Sequence, residues 1–326
     1  MKLGRSLNLV LLIILVILLP IFFRSNNYYL IVLILCGINI ILASSLRLIA
    51  SVGQMSMGTM AFAGIGAYTS AILMMKLGFP IWAAFPLAGF ASMAVAAVIA
   101  FPFVRVTGIY FAMLTLFFGE VVRLVISEWS SMTGGTTGLL GIPSIGLVPV
   151  LGIDIDFAHL LPYCYFVLIV MLLTLLILYR IDCSHLGTTL AAIERDENVS
   201  ASVGINVIKY KVITFCIGCF FAGLAGSLYA HHLRVLNAET FGLFPSIYVL
   251  IYMVAGGRKK FSGPIVGALV LTVIPEASRI LKEYQPLIFV GVLFLVLFFI
   301  RGGLVDLPEK IKSRVRIARE GRPSNA

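Results

Sequence analysis

The sequence predicts an all-α fold, a polytopic transmembrane bundle of about ten spans with both termini cytoplasmic. Three observations predict it. The chain of 326 residues is 60% hydrophobic and only 12% charged, with a mean hydropathy of +1.08; soluble domains carry about twice that charged fraction. Apolar windows recur along almost the whole length. The 24 Lys and Arg, which give a net charge of +10, gather in alternate gaps between those windows.

In order, the windows are 7–23, 28–46, 53–75, 81–104, 108–127, 159–179, 211–230, 244–256, 262–281 and 286–300. A hydrocarbon core ~30 Å thick sets the length needed, and 244–256 is the shortest. The first window follows Lys2 and Arg5, as in a signal peptide, but no small-x-small site comes after it; Arg24, Asn26 and Asn27 do. It is expected to stay as a first helix. Ten spans leave only Arg24, Lys76, Arg234 and Lys282 on one side, with Arg123 and Arg279 inside spans; every other Lys and Arg lies opposite. The positive-inside rule makes the rich side cytoplasmic. Residues 1–300 then form the transmembrane domain. The basic stretch 301–326 is a cytoplasmic tail held at anionic lipid, and no nucleic-acid site is expected.

Helices meet in lipid through small residues, because apolar burial drives nothing there. Ala63, Ala67 and Ala71 are four apart, and so are Gly218, Ala222, Gly226 and Ala230; Gly263 and Gly267 repeat the spacing. Cys216 and Cys219 have redox or metal spacing, but they lie in "TFCIGCFFAGLAG" and are expected to pack. His231 and His232 are expected as a solvated or interfacial pair at a helix end, with no further metal ligand nearby.

Charges inside spans come as Glu120 with Arg123 and Glu276 with Arg279, each three apart on one helical face. Both pairs fall toward the outer side. They serve either as structural pairing or as the lining of an outer vestibule for a zwitterion. The segment 128–158 is rich in Gly, Pro, Ser and Thr and is expected as a loop. Within it, Thr133, Gly134 and Gly135 either turn the chain or present backbone N–H groups to an anion.

The chain lacks a G-x-x-x-x-G-K-[ST] phosphate loop, a zinc motif, a nucleophile elbow and a dinucleotide fingerprint. That argues against an enzyme and for a transport machine or a scaffold; no metal or cofactor is expected in this chain.

One run, 180–210, interrupts the apolar pattern on the cytoplasmic side. Leu186, Leu190 and Ile193 share a helical face. Asp196 can cap a second short helix, Glu197 suits its first turn, Val199 and Val203 share its apolar side, and Gly204 suits a left-handed end. Two short amphipathic helices follow. They are either a solvated loop or a knob for a groove in a soluble partner.

This run is similar to the cytoplasmic coupling loop of permease subunits in ABC-type importers of the branched-chain amino acid group. The loop's E-A-A…G signature has its counterpart in Glu197, Ala201 and Gly204, followed by "INVIKYK". "SVGQMSMGTMAFAGIGAYTSA" (51–71), "GIYFAMLTLFFGEVVRLVISEWSSMTGGTTGL" (108–139), "FFAGLAGSLYA" (220–230) and "GGRKKFSGPIVGA" (256–268) resemble further segments of that family, in family order. The M-type (LivM family) is the nearer of its two permease types. Lys259 and Lys260 depart from the family's usual Gly-Thr, and "RGGL" (301–304) replaces an Arg-Pro-x-Gly-Leu ending.

The resemblance implies a type II ABC importer permease-like fold in the inner membrane, working by alternating access. It implies a second, H-type permease, two ATP-binding subunits that hold the nucleotide, and an extracytoplasmic solute-binding protein. It assigns ATPase coupling to Gly187, Leu190, Ile193, Glu194, Arg195, Asp196, Glu197, Ala201 and Gly204. The two segments 51–71 and 108–139 offer Gln54, Tyr110, Thr115, Glu120, Arg123, Thr133, Gly134 and Gly135 as candidates for the translocation pathway. The implied solute is a branched-chain or related amino acid; urea and short amides are the alternative within the family. An ion-coupled secondary carrier would favour unpaired intramembrane carboxylates, whereas here both acids have an Arg three residues on.

Overall fold

The computed structural model describes residues 26–143, 147–150, 153–157, 159–277 and 304–306, with Pro20, Gly291 and Phe294 as single positions. The expected spans 7–23 and 286–300, Arg279 and most of the basic tail lie outside the described residues. Four long helices come first: α1 (Asn27–Ala50), α2 (Thr59–Leu77), α3 (Ile81–Phe103) and α4 (Ile109–Glu128). A short helix α5 (Ser130–Thr133) and strands β1 (Leu139–Leu140), β2 (Leu147–Val150) and β3 (Ile153–Asp156) follow. Then come α6 (Leu160–Asp182), α7 (His185–Arg195), α8 (Glu197–Ser202), α9 (Val207–Leu233), β4 (Val235–Leu236), α10 (Leu243–Gly256) and α11 (Gly263–Ala277). Seven helical segments among the described residues are long and apolar enough to cross a membrane, with Ala238–Gly256 taken as one. The chain is a multi-pass membrane protein.

At the centre lies α9, packed on α1, α2 and α3. Its small residues allow this. A Cβ on Gly226 would overlap the Ala63 carbonyl, and one on Gly66 would overlap the backbone of Gly223. Ala63, Ala67 and Ala71 are all buried. Of the expected ridges, Ala63 and Gly226 meet at the α2–α9 crossing, where two backbones touch and dispersion contacts replace the apolar burial that lipid cannot drive, whereas Gly218 meets Ile49 of α1 and Gly267 meets α10. Ser92 Oγ of α3 adds a buried bond to the Phe62 carbonyl at 2.8 Å.

Three expectations need correction. The apolar window 53–75 is helical only from Thr59 onward. Residues 51–58 form a largely buried coil, and a buried coil needs its polar backbone satisfied. Side chains do part of this: Thr115 Oγ1 accepts from the Met57 N–H at 3.0 Å, and Ser56 Oγ from the Gly58 N–H at 3.3 Å. Second, the segment 128–158 is more ordered than a loop. β1 pairs antiparallel with β4 and β2 with β3, so the segment expected as a plain loop carries two small ladders and a helical turn. Third, His231 is buried rather than solvated. The β1–β4 ladder folds residues 139–143 back over the end of α9, and His231 Nδ1 lies 3.2 Å from the Pro143 carbonyl. His232 stacks on Tyr163, with ring centroids 5.9 Å apart.

The bundle thus has two unlike ends. One carries these ladders and the longer loops. The other gathers the ends of α1 and α6, the helices α7 and α8, the start of α9 and the α10–α11 turn.

Candidate functional site: two short helices at the charged end

Both short helices form where their cap residues dictate. Ser184 Oγ accepts from the Leu186 N–H at 3.2 Å and starts α7. Asp196 Oδ1 accepts from the N–H groups of Asn198 and Val199 at 2.9 and 3.1 Å and starts α8. Gly204 ends the unit with φ of +86°, a left-handed conformation that suits glycine. Gly187 sits tight against the end of α6, where a Cβ would overlap the Asp182 carbonyl.

The two helices are docked on the bundle, not free. Leu190 and Ile193 are buried, and Leu190 shares a small crevice with Leu48, Ile213 and Ile217 of α1 and α9. This apolar face therefore fixes the helices to their own chain. Lys211 of α9, only 2% exposed, donates to Glu197 Oε1 at 2.6 Å. A buried ammonium needs such a partner. Arg258 donates to Glu194 Oε1, also at 2.6 Å. What remains for a partner is the outer side. Val199 and Val203 are 61% and 72% exposed. With Thr188, Ala191, Ala192 and Arg195 they line a groove of about 430 Å³ between α7 and α8. Ala201 is exposed beside it.

The candidate pathway residues divide. Tyr110 is 70% exposed and shares one face of α4 with the exposed Met113, Phe117, Val121 and Leu124. At about 100° per residue, Glu120 falls at the edge of that face, where its carboxylate and Arg123 lie against Gly242. Arg123 Nε donates to Glu120 Oε2 at 2.8 Å, and its Nη1 lies 3.9 Å from Glu239 Oε1. Thr115 points the opposite way. It is fully buried, and its Oγ1 donates to the Ala112 carbonyl while clipping Met57. Gln54 is buried and donates to the Val104 carbonyl at 3.3 Å. Thr133 is buried too, and its hydroxyl donates to the carbonyls of Ile126 and Trp129. The Gly134 N–H donates to Ser130 and the Gly135 N–H to Thr133 Oγ1. With both N–H groups taken, the Thr-Gly-Gly stretch turns the chain.

A cavity of about 680 Å³ holds none of these candidates. It lies between α1, α2, α9, α10 and α11. Leu42, Met60 and Leu271 give it apolar walls, and Asn39, Tyr252, Thr272 and Glu276 supply polar groups. Asn39 Nδ2 donates to Thr272 Oγ1 at 3.0 Å across it.

A family model described as "branched-chain amino acid transport system / permease component" matches residues 28–301. The chain belongs to this family. The high-affinity branched-chain amino acid transport system permease protein LivM of Salmonella typhimurium is 31% identical over 298 residues, covering 85% of this chain and 70% of that protein. LivM of Escherichia coli K12 is 30% identical, covering 83% and 68%. LivH of Salmonella typhimurium, the other permease protein, is 28% identical over 128 residues and covers 39% and 41%. No solved structure matches the chain.

In this permease the cavity and the Glu194–Arg258 contact are what sequence reasoning missed. The signal for the contact was present, an acid in the central run and a basic 258–260 turn on one side of the membrane. Nothing local joins residues 64 apart in sequence. The cavity had a fainter signal, Asn39 and Thr272 as polar side chains in otherwise apolar spans.

Proposed function

We propose that this chain is the transmembrane permease subunit of an ATP-driven importer of branched-chain or related amino acids. It works by alternating access beside a second, H-type permease, with two ATP-binding subunits on the cytoplasmic side and a solute-binding protein outside. ATP hydrolysis belongs to the partner subunits. The chain is a multi-pass protein of the inner membrane; we place ten spans, cytoplasmic termini and a basic tail at 301–326 in this reading.

One observation carries it: a family permease presents two capped helices, docked on its hub helix, with their exposed side facing away. Closure of the ATPase dimer pushes α7 and α8. Leu190, Ile193 and the Lys211–Glu197 pair tie them to α1 and α9, and α9 packs on α1, α2 and α3. The push therefore reaches the whole bundle. The exposed face of α4 supports the second permease. Of the seven candidate spans, α4 is the least buried, yet it carries Glu120 and Arg123. Charges facing lipid are costly, so protein or a watered pathway is expected over this face.

The test is reconstitution with the four partners in proteoliposomes. ATP inside and binding protein outside should drive uptake of leucine, isoleucine or valine. Uptake that follows an ion gradient and ignores ATP contradicts the proposal. Arg123→Gln and Glu120→Gln should lower uptake more than they lower the amount of folded protein.

A further inference from the structure

The contacts at the charged end converge on the turn between α10 and α11. Arg258 in that turn donates Nη2 to Glu194 Oε1 of α7 at 2.6 Å. Arg47, at the end of α1, holds the same turn from behind. Its Nε donates to the Arg258 carbonyl at 3.3 Å, its Nη2 donates to Asp182 Oδ2 of α6 at 2.9 Å, and its guanidinium lies 5.3 Å from the centroid of the Phe261 ring. Phe261 in turn meets Tyr179 of α6 edge-on at 5.3 Å. One turn is thus clasped to α1, α6 and α7.

Behind the turn, α10 and α11 are locked together. A Cβ on Gly256 would overlap the Gly263 carbonyl, and one on Gly267 would overlap the Tyr252 carbonyl. Helices in backbone contact move as one body, because a packed interface does not deform continuously. The same hairpin forms a wall of the 680 Å³ cavity through Val249, Tyr252, Leu271, Thr272 and Glu276. A pull at Arg258 is therefore a pull on that wall.

We propose that Glu194 and Arg258 are a lateral transmission contact. The pair carries movement of the short helices sideways to the α10–α11 hairpin and so reshapes the cavity, alongside the route through α8 and α9. Arg47 is the positioning residue that keeps the turn in reach. This rests on the reading of the chain as an ATP-driven permease. The pair is 32% exposed on both sides, so its worth to stability is small, and a change in it reads out in coupling rather than in folding.

The test measures uptake and ATP hydrolysis in the same proteoliposomes, with the full importer. Arg258→Glu and Glu194→Arg, singly, should each lower solute moved per ATP hydrolysed by about two- to fivefold, the range of such an exposed pair. The double variant, which restores an opposite-charge pair, should recover the ratio. Wild-type ratios in both single variants overturn the proposal, and so does a double variant as poor as the worse single one. A wild-type complex without ATP-driven uptake overturns the functional reading and this contact with it. Wild-type transport with an indifferent Arg258→Glu removes the contact alone.

Discussion

The charged end and the inner face of α4 both hold polar side chains, with opposite consequences. At the charged end, polar side chains cap helices and pair across long stretches of sequence, and their outer side stays open. On the inner face of α4, Thr115 is spent on the chain's own backbone, as is Nε2 of Gln54 in the adjoining coil. The difference teaches how to tell a working polar residue from a fastening one inside a membrane. A polar group in lipid must be satisfied first, and only what is left over can act on another molecule. Thr115 and Thr133 are spent in this way, whereas Val199 and Val203 stay exposed beside the satisfied caps of the short helices.

Substitutions can break or sharpen that contrast. The largest effect belongs to the crossing that underlies both regions. Gly226→Leu forces a side chain into the Ala63 carbonyl and should cost about 3 kcal/mol or more, seen as loss of the folded peak on size-exclusion chromatography in detergent. A stable, monodisperse variant would show that α2 and α9 do not cross as described. Next is Glu197→Lys, which sets a second ammonium beside buried Lys211. Breaking a fully buried pair costs more, but Glu197 is 38% exposed, so about 2 kcal/mol is expected. In vesicles, ATP hydrolysis should continue while uptake fails; tight coupling in this variant would separate α8 from the ATPase.

Thr115→Val should cost about 1–2 kcal/mol, because the Met57 N–H loses its acceptor. Thermal melting should fall while uptake per folded molecule holds. The reverse outcome, full stability with lost uptake, would return Thr115 to the pathway and erase the contrast drawn above. The smallest stability change is expected for Val199→Ser with Val203→Ser, within about 0.5 kcal/mol. Its effect lies elsewhere: the ATP-binding subunits should be retained about fivefold more weakly for each buried valine lost, measured by titration against the purified permease.

Sequence carried the short helices well because their rules are local. Asp196 needs only the next two N–H groups, and Gly204 only its own φ. Spans were legible for a similar reason, since length and hydropathy are read along the chain. What failed needed the rotation of one helix against another. Thr115 and Tyr110 are five residues apart in one apolar window, and nothing in that window says which faces α2. Residues 51–58 adjoin an apolar helix, yet their coil is held by Thr115 of α4 and by Val104 just past the end of α3. His231 reads in the sequence as part of a solvated or interfacial pair, and the fold-back of residues 139–143 sets the Pro143 carbonyl against it.

In the proposed importer the outer side of α7 and α8 meets an ATPase. A photo-crosslinking amino acid at Val203, which is 72% exposed, tests it in the assembled importer. One major adduct is expected, with an ATP-binding subunit, and its yield should change when ATP is added. An adduct with the solute-binding protein, or none with an ATP-binding subunit in a complex that still transports, would contradict it.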